Sequence, residues 1–488
     1  MLKQVGILVT LSFNFSLHCQ SQFVYFDKLY DFGNGDPHAE AALGIVPSSD
    51  GQGYLFTSFS LYWSMNSSDA LLIKIDGQGD TIFTVRQSDA NRKYFVSSLV
   101  KSHDEGIVIC SYVINTLDDN KNYSLIKINV NNEIEFSKTY GDSLNDEQAL
   151  HVINTNDNGF LIVGQSVFPQ NSDAEMYAVK TDSAGNFEWE QYYGGNNFEG
   201  AYSAIQTPDS GYLVFGFTQS FGAGQPDWYI VKSDKLGNQQ WQRLYEGIAG
   251  GDIDIGSGII KLSDNNYLLS GGGGVYGRLI KINSQGVVIW QKNYTYPGGT
   301  GGNFLYWARE LTDYSIIAAG GTNKPSESDA GWIIKTDSAG NLLWQRKYNK
   351  TNDVELFYDF IPTDDAGFVL CGQARNPQTN NQDAWLLKVD SLGCPYADCT
   401  VGIDEADNTK VVADIYPNPA SELLNVEFQN VEDWLISLTD VNGKVVYTSN
   451  NDKETIITVN VSSFSAGVYL LQLTSEKSFV NKKIIIQH

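Results

Sequence analysis

One lysine limits what this chain can fold into. It recurs as Lys74, Lys127, Lys180, Lys232, Lys281, Lys335 and Lys388, at intervals of 49 to 54 residues. The same phrases return around each copy. In one of them, Thr207-Pro-Asp-Ser-Gly211-Tyr comes first, Asp227-Trp-Tyr-Ile-Val-Lys232 carries the lysine, and Gly237-Asn leads on to Trp241 and Tyr245. A unit of this length with so few apolar faces cannot bury a core alone. Neighbouring copies must stack, so the repeat dictates the architecture.

Each copy predicts four short strands. An inner strand such as 201–206 runs into a Thr-x-Asp-x-Gly turn, where the glycine permits a tight reversal. A second strand (212–217) and a third (228–233, the lysine strand) follow, alternating side chains with period two. A second turn, Asp182-Ser-Ala-Gly185-Asn186 or Asp337-Ser-Ala-Gly340-Asn341, leads to an outer strand with a recurrent ring: Trp189, Trp241, Trp290, Trp344, or Phe83 and Phe136. A large ring at one fixed place implies packing between copies. The expected fold is all-β: a seven-bladed β-propeller of the kelch-like size class over 22–393, then a small C-terminal β-sandwich.

Ring closure leaves a trace. The seventh copy ends at Gly393 without an outer strand, while Phe26-Asp-Lys28-Leu-Tyr30 matches the outer strand Phe136-Ser-Lys138-Thr-Tyr140. Residues 23–31 are therefore expected to complete the last blade and remove an exposed edge.

Composition agrees and sets limits. The 27 Tyr, 24 Phe and 46 Gly suit many short strands and tight turns. A net charge of -25 repels phosphate backbones and argues against nucleic acid. Lys3 and the apolar run 5–17 read as a signal peptide over 1–21, too short to span a bilayer. His18 disfavours lipidation at Cys19. Cys110 and Cys371 sit in apolar strand runs and read as core residues. Cys394 and Cys399, in the linker 394–410, are expected to form a disulfide after export.

From 411 the pattern changes. Ile415-Tyr-Pro-Asn-Pro419, Asp440-Val-Asn-Gly443-Lys-Val-Val and Gly467-Val-Tyr-Leu stand in order before a final Lys482-Lys-Ile-Ile-Ile run. These residues resemble the type IX secretion C-terminal sorting domain, type A, over 411–488. The resemblance implies export across the outer membrane of a Bacteroidota-type cell. It also implies recognition by the secretion machinery and a sortase-like peptidase, with release or surface attachment.

The repeats offer little catalytic signature. Gly272-Gly-Gly-Val-Tyr-Gly277 fits a dinucleotide fingerprint by letter, but no helix follows it. Asn154-Thr-Asn-Asp-Asn158-Gly159 lacks the twelfth-position glutamate of a calcium loop. The Thr-x-Asp-x-Gly turns resemble the Asp-box of sialidases, and Asp182, Gly185 and Trp189 resemble the tryptophan-docking repeat of quinoprotein dehydrogenases. Both resemblances bear on fold alone.

Two constellations remain. Alignment on the first turn puts Glu40, Glu147, Glu199, Asp254 and Glu355 at the start of the inner strand, with Tyr94 and Phe304 in the other two copies. Such acids could ring the channel mouth and hold Ca²⁺, or each could accept N–H bonds from its own loop. The loops at that mouth carry Tyr62, Trp63, Phe221, Tyr276 and Tyr306, rings suited to stacking on sugars or to local packing. The expected function is a non-catalytic glycan- or protein-binding module at the cell surface. The alternatives are a polysaccharide hydrolase or lyase using the mouth carboxylates, and an adhesion scaffold.

Overall fold

The computed structural model describes residues 23–488, except 34–37, 63–66, 143, 169–172, 223–225, 247–254, 274, 298–301, 325–326, 351–353, 377, 380, 397–412, 429–433, 441–443, 452–453 and 475–478. The segment read as a signal peptide therefore lies outside the described residues, as do Trp63, Asp254 and Cys399. Every regular element among the described residues is a strand. None of them belongs to a helix long and apolar enough to cross a membrane.

Residues 26–389 form a β-propeller built from four-stranded antiparallel units. In the unit drawn from the 207–245 repeat, Glu199–Gln206, Tyr212–Thr218, Asp227–Ser233 and Gln239–Tyr245 pair in sequence order. The last unit borrows its outer strand. Phe26–Tyr30 runs antiparallel to Gln382–Val389, from Phe26 opposite Lys388 to Tyr30 opposite Ala384.

The recurrent residues now have physical roles. Every recurrent lysine pairs with the aspartate of its own first turn. Lys180 Nζ lies 2.9 Å from Asp157, Lys232 3.0 Å from Asp209, Lys281 2.6 Å from Asp264 and Lys388 2.7 Å from Asp365. Lys74–Asp50, Lys127–Asp104 and Lys335–Asp313 complete the set. Lys180 is 1% exposed, and it also donates to Glu188 and to the Thr181 carbonyl. Burial of an ammonium is tolerable only with partners of this kind.

A second lock joins one unit to the next. The tyrosine that ends six of the outer strands donates to the carbonyl of the glycine in the following unit's second turn. The bonds are Tyr140–Gly185, Tyr193–Gly237, Tyr245–Gly286, Tyr294–Gly340 and Tyr348–Gly393, at 2.7–2.8 Å. Tyr30 makes the same bond to Gly79 at 2.7 Å, carrying the pattern across the closure. Gly237 has φ +81°, and a Cβ there would lie 2.7 Å from the Trp189 ring. The outer-strand tryptophan thus closes against the next unit's glycine.

Cys110 and Cys371 are free thiols at 0% exposure. Cys394 is disulfide-bonded, and its expected partner Cys399 lies outside the described residues.

The C-terminal unit is a two-sheet β-sandwich. Ala413–Tyr416, Leu423–Phe428 and Ile456–Asn460 form one sheet; Val445–Asn451, Trp434–Asp440, Gly467–Thr474 and Phe479–Ile486 form the other. Leu424, Val426, Trp434, Ile436, Leu438, Leu471 and Ile484 fill the space between. Asn418 of the Tyr-Pro-Asn-Pro motif ties the start of the unit to its end. Its amide donates to the Lys483 carbonyl and its oxygen accepts from the Ile485 N–H, both at 2.8 Å.

Candidate functional site: an aromatic mouth above a closed waist

Each inner strand carries a β-bulge. The register slips between Ala42 and Gly44, Val96 and Ser98, Ala149 and His151, and Ala201 and Ser203. It slips again between Gly256 and Gly258, Leu305 and Trp307, and Phe357 and Asp359. A bulge adds one unpaired residue and re-aims side chains. The residue gained is Leu43, Ser97, Leu150, Tyr202, Ser257, Tyr306 or Tyr358.

Three of these are tyrosines, and they gather with phenylalanines. Tyr306 and Tyr358, from adjoining units, have ring centroids 5.2 Å apart, tilted by 59°. Phe304 stands 4.5 Å from Tyr306. Tyr202 meets Phe217 at 6.0 Å, and Phe198 stacks on Phe217 at 5.9 Å. Tyr202, Tyr306 and Tyr358 are each half-buried, so their rings keep open surface. Burial, followed by the neighbouring Tyr202 and Asp329, pushes the Tyr306 phenol up to about 12. Burial also raises Tyr202 and Tyr358. These phenols stay protonated and act as donors or stacking faces. None is poised as a base.

One step further along the strands the channel is filled. His151 of the third unit meets Trp307 of the sixth, with ring centroids 5.2 Å apart. Residues three units apart in the ring can touch only across its axis. Beside them, Arg309 donates to Asp359 Oδ1 at 2.8 Å and to the Phe360 carbonyl. Asp359 Oδ2 accepts the Ile45 N–H at 3.2 Å. Burial, then the Arg309 charge, brings the His151 imidazole down to about 4, so it is neutral at physiological pH. The His151–Trp307 contact crosses the axis next to the three bulge tyrosines.

Of the acids expected at the mouth, Glu40, Glu199 and Glu355 accept N–H groups of nearby loops, and Asp254 lies outside the described residues. Glu40, Glu147, Glu199 and Glu355 are all 0% exposed. Glu199 accepts from the N–H groups of Gly195 (2.9 Å) and Ser220 (3.0 Å) and from the Thr218 hydroxyl (2.6 Å). Glu40 accepts the Phe32 N–H and the Ser60 hydroxyl. Glu355 accepts the Lys350 N–H at 2.7 Å, and Glu147 the Ser166 hydroxyl at 3.4 Å. Burial, then Asp142, pushes Glu147 up to about 8. Among the described residues no three of these acids gather around one point, as they would around a shared ion; the group that does is Asp31, His38 and Glu40. The residue at this position in the sixth copy is Asn303 and not Phe304, since it precedes the turn at Leu311 by eight residues as Glu199 precedes Thr207. Asn303 faces Thr322 as Glu199 faces Thr218, and it accepts the Thr322 hydroxyl at 2.6 Å.

Of the rings singled out from the sequence, Tyr306 stands in the funnel. Tyr62 is 7% exposed; its hydroxyl donates to the Phe32 carbonyl and accepts from Arg86. Phe221 packs on Tyr229 at 5.6 Å. Tyr276 opens a third strand opposite Gly273. Tyr202 and Tyr358 were not singled out, although each lies three residues past the acid of its repeat, as Tyr306 lies three past Asn303.

The sandwich topology and the motif residues that tie it together place the C-terminal unit. Residues 414–487 match the secretion system C-terminal sorting domain. The chain is thus exported to the cell surface or the extracellular space. An endo-acting ulvan lyase of Formosa agariphila is 29% identical over 188 residues, which are 36% of this chain and 34% of that protein. The chain spans about a third of the length of that curated relative. The structure is also similar to the β-propeller domain of the trilobed protease of Pyrococcus furiosus (TM-score 0.41, 10% identity, covering 76% of this chain and 97% of that one). A second such structure is an ulvan lyase of a new polysaccharide lyase family, bound to -[GlcA(1-4)Rha3S]- (TM-score 0.42, 7% identity, covering 73% and 94%).

Proposed function

We propose that this chain is a surface-displayed, non-catalytic glycan-binding propeller whose sugar site is the aromatic funnel. The tilted Tyr306–Tyr358 pair carries the reading. Two half-open rings from adjoining units, with Phe304 behind them, offer stacking faces at the mouth of the channel. Phenol hydroxyls on such rings suit a sugar, which is apolar on its face and polar at its rim. The net charge of -25 favours neutral sugars over polyanions. Glu40, Glu199 and Glu355 are held by loop N–H groups, which supports binding over hydrolysis. The sorting unit is read by the export machinery and removed by a sortase-like peptidase.

Calorimetric titration of the full chain with neutral and anionic polysaccharides tests this. Binding without depolymerisation is expected, weakened about tenfold by Tyr306→Ala, a loss of ~1.4 kcal/mol. Binding unchanged in that variant would remove the funnel from the reading.

The second reading is a polysaccharide lyase, favoured by the 29% identity to the ulvan lyase over 188 residues. Incubation with ulvan decides it. Growth of the ultraviolet absorbance of an unsaturated uronate would make this an enzyme. If no glycan is bound or cleaved, an adhesion scaffold or protein-binding role takes its place.

A further inference from the structure

The closure of the ring holds a cluster that the glycan reading does not use. Asp31 directly follows the borrowed outer strand Phe26–Tyr30, and His38 and Glu40 open the inner strand His38–Pro47. The three residues offer an imidazole nitrogen and two carboxylate oxygens, all within 4.8 Å of one another. From His38 Nε2, Asp31 Oδ1 lies at 3.3 Å and Glu40 Oε1 at 3.9 Å. A third carboxylate, Asp383 of the strand Gln382–Val389, puts Oδ1 at 3.6 Å from the same nitrogen.

Two features separate this cluster from an ordinary acidic surface. His38, Glu40 and Asp383 are each 0% exposed. Asp383 Oδ1 is buried without a hydrogen-bond partner, while its Oδ2 is fixed by the Asn376 amide at 2.6 Å. At 3.6 Å the approach to His38 is too long for a hydrogen bond. Three carboxylates therefore converge on one imidazole in a buried site, an arrangement that calls for positive charge, supplied by a protonated imidazole or by a bound cation.

We propose that Asp31, His38 and Glu40 bind a divalent transition ion of the Zn²⁺ class, with the Asp383 carboxylate as the adjoining fourth donor, and that the ion staples the ring closed. Tetrahedral zinc with bonds of about 2.0–2.1 Å separates its donors by about 3.3 Å, close to the spacings from Nε2. An imidazole donor favours zinc over calcium, which takes oxygen ligands. The outer contacts suit the role. The Ser60 hydroxyl and the Phe32 N–H orient Glu40, and the Asn381 amide nitrogen lies 3.3 Å from His38 Nδ1; ion binding at Nε2 requires this amide turned over, so that its oxygen accepts from Nδ1–H. Asp31 is the partly open member, its side chain 33% exposed, and gives the ion a way in. The ion would join the first and last strands of the propeller, so its role is stability and it is independent of any glycan.

The test is calorimetric titration of ZnCl2 into the metal-stripped full chain, with CaCl2 and MnCl2 in parallel, followed by melting with and without EDTA. One equivalent of zinc per chain is expected, with a higher melting temperature that EDTA reverses. Asp31→Asn keeps the acceptor for the Gly33 N–H and sits at the edge of the cluster, so it should fold. It should lower zinc affinity at least tenfold while leaving the metal-free melting temperature in place, and His38→Gln should abolish uptake. No stoichiometric zinc, uptake undiminished in both variants, or calcium bound as tightly as zinc would each overturn the proposal.

Discussion

The two faces of the propeller are built on opposite plans. On the face of the short turns every unit repeats the same chemistry. An aspartate pairs with the strand lysine, and the second turn is held by the side-chain oxygen of the Asp or Asn that opens it, as Asp182 holds the N–H groups of Ala184 and Asn186 and Asn283 those of Gln285 and Val287. On the opposite face, the bulge residue is leucine, serine or tyrosine according to the unit. Repetition marks what every unit needs in order to stack. Departure from it marks where one sector of the ring does something the others do not.

The turn face should break most heavily. Gly237→Ala forces a side chain into a backbone with φ +81° and brings its Cβ within 2.5 Å of Gln191 and 2.7 Å of Trp189. A loss of ~2–4 kcal/mol is expected by chemical denaturation. A loss below ~0.5 kcal/mol would mean that the glycine–tryptophan seam does not hold the units together. Tyr193→Phe tests the same seam more gently. It removes one buried hydroxyl bond, at 2.7 Å to Gly237, for about 1 kcal/mol.

The funnel should show the reverse pattern. Tyr358→Ala is expected to cost about tenfold in glycan affinity, ~1.4 kcal/mol, with a loss of stability smaller than that of Gly237→Ala, because its ring is half-buried and what it gives up is the Tyr306 contact and one hydrogen bond to Gln373. A large fall in melting temperature with unchanged affinity would turn the funnel into one more packing element.

Much of this was legible because it recurs. The lysine, the turn glycine, the outer-strand ring and the borrowed strand 26–30 each stand at a fixed offset. The bulge was not legible, since one extra unpaired residue leaves no mark in composition or period. It stands at the same offset in the inner strands, so Tyr202, Tyr306 and Tyr358 fall on it together; the acid-equivalent residue of the sixth copy is Asn303 and not Phe304, eight before the turn at Leu311 as Glu199 is eight before Thr207. The Asp31–His38–Glu40 cluster was hidden for another reason. It exists once, at the closure, and its neighbours Asp383 and Asn381 stand at the far end of the propeller sequence, Asn381 being 343 positions from His38.

The buried acids give a smaller effect with a defined sign. Glu147 is raised to about 8 in the fold from an ordinary 4.5, chiefly by burial. The folded state then binds a proton that the unfolded state has released. Its contribution to stability is complete below pH 4.5 and disappears as pH rises to about 8. Glu147→Gln stays neutral throughout, so its melting temperature relative to the parent should rise with pH across that window. A difference that stays flat would place the Glu147 titration outside it.

The smallest effect tests the comparison at its one irregular seam. Where six outer strands end in a tyrosine that reaches the next unit's glycine, the strand Thr81–Gln87 ends in Gln87, and the turn it faces carries Asn132 at φ 65°. Asparagine tolerates this backbone region better than most residues, though less freely than glycine. Gln87→Tyr with Asn132→Gly restores the lock found at the other seams. Because the new hydroxyl bond exchanges for one to water, the gain should be modest, about 1 kcal/mol. Tyr alone should give less, since Asn132 keeps a side chain where the ring must lie. If the pair gives no more than the sum of the two single changes, the hydroxyl and the glycine act separately, and the repeat of the turn face is a matter of shape more than of a coupled bond.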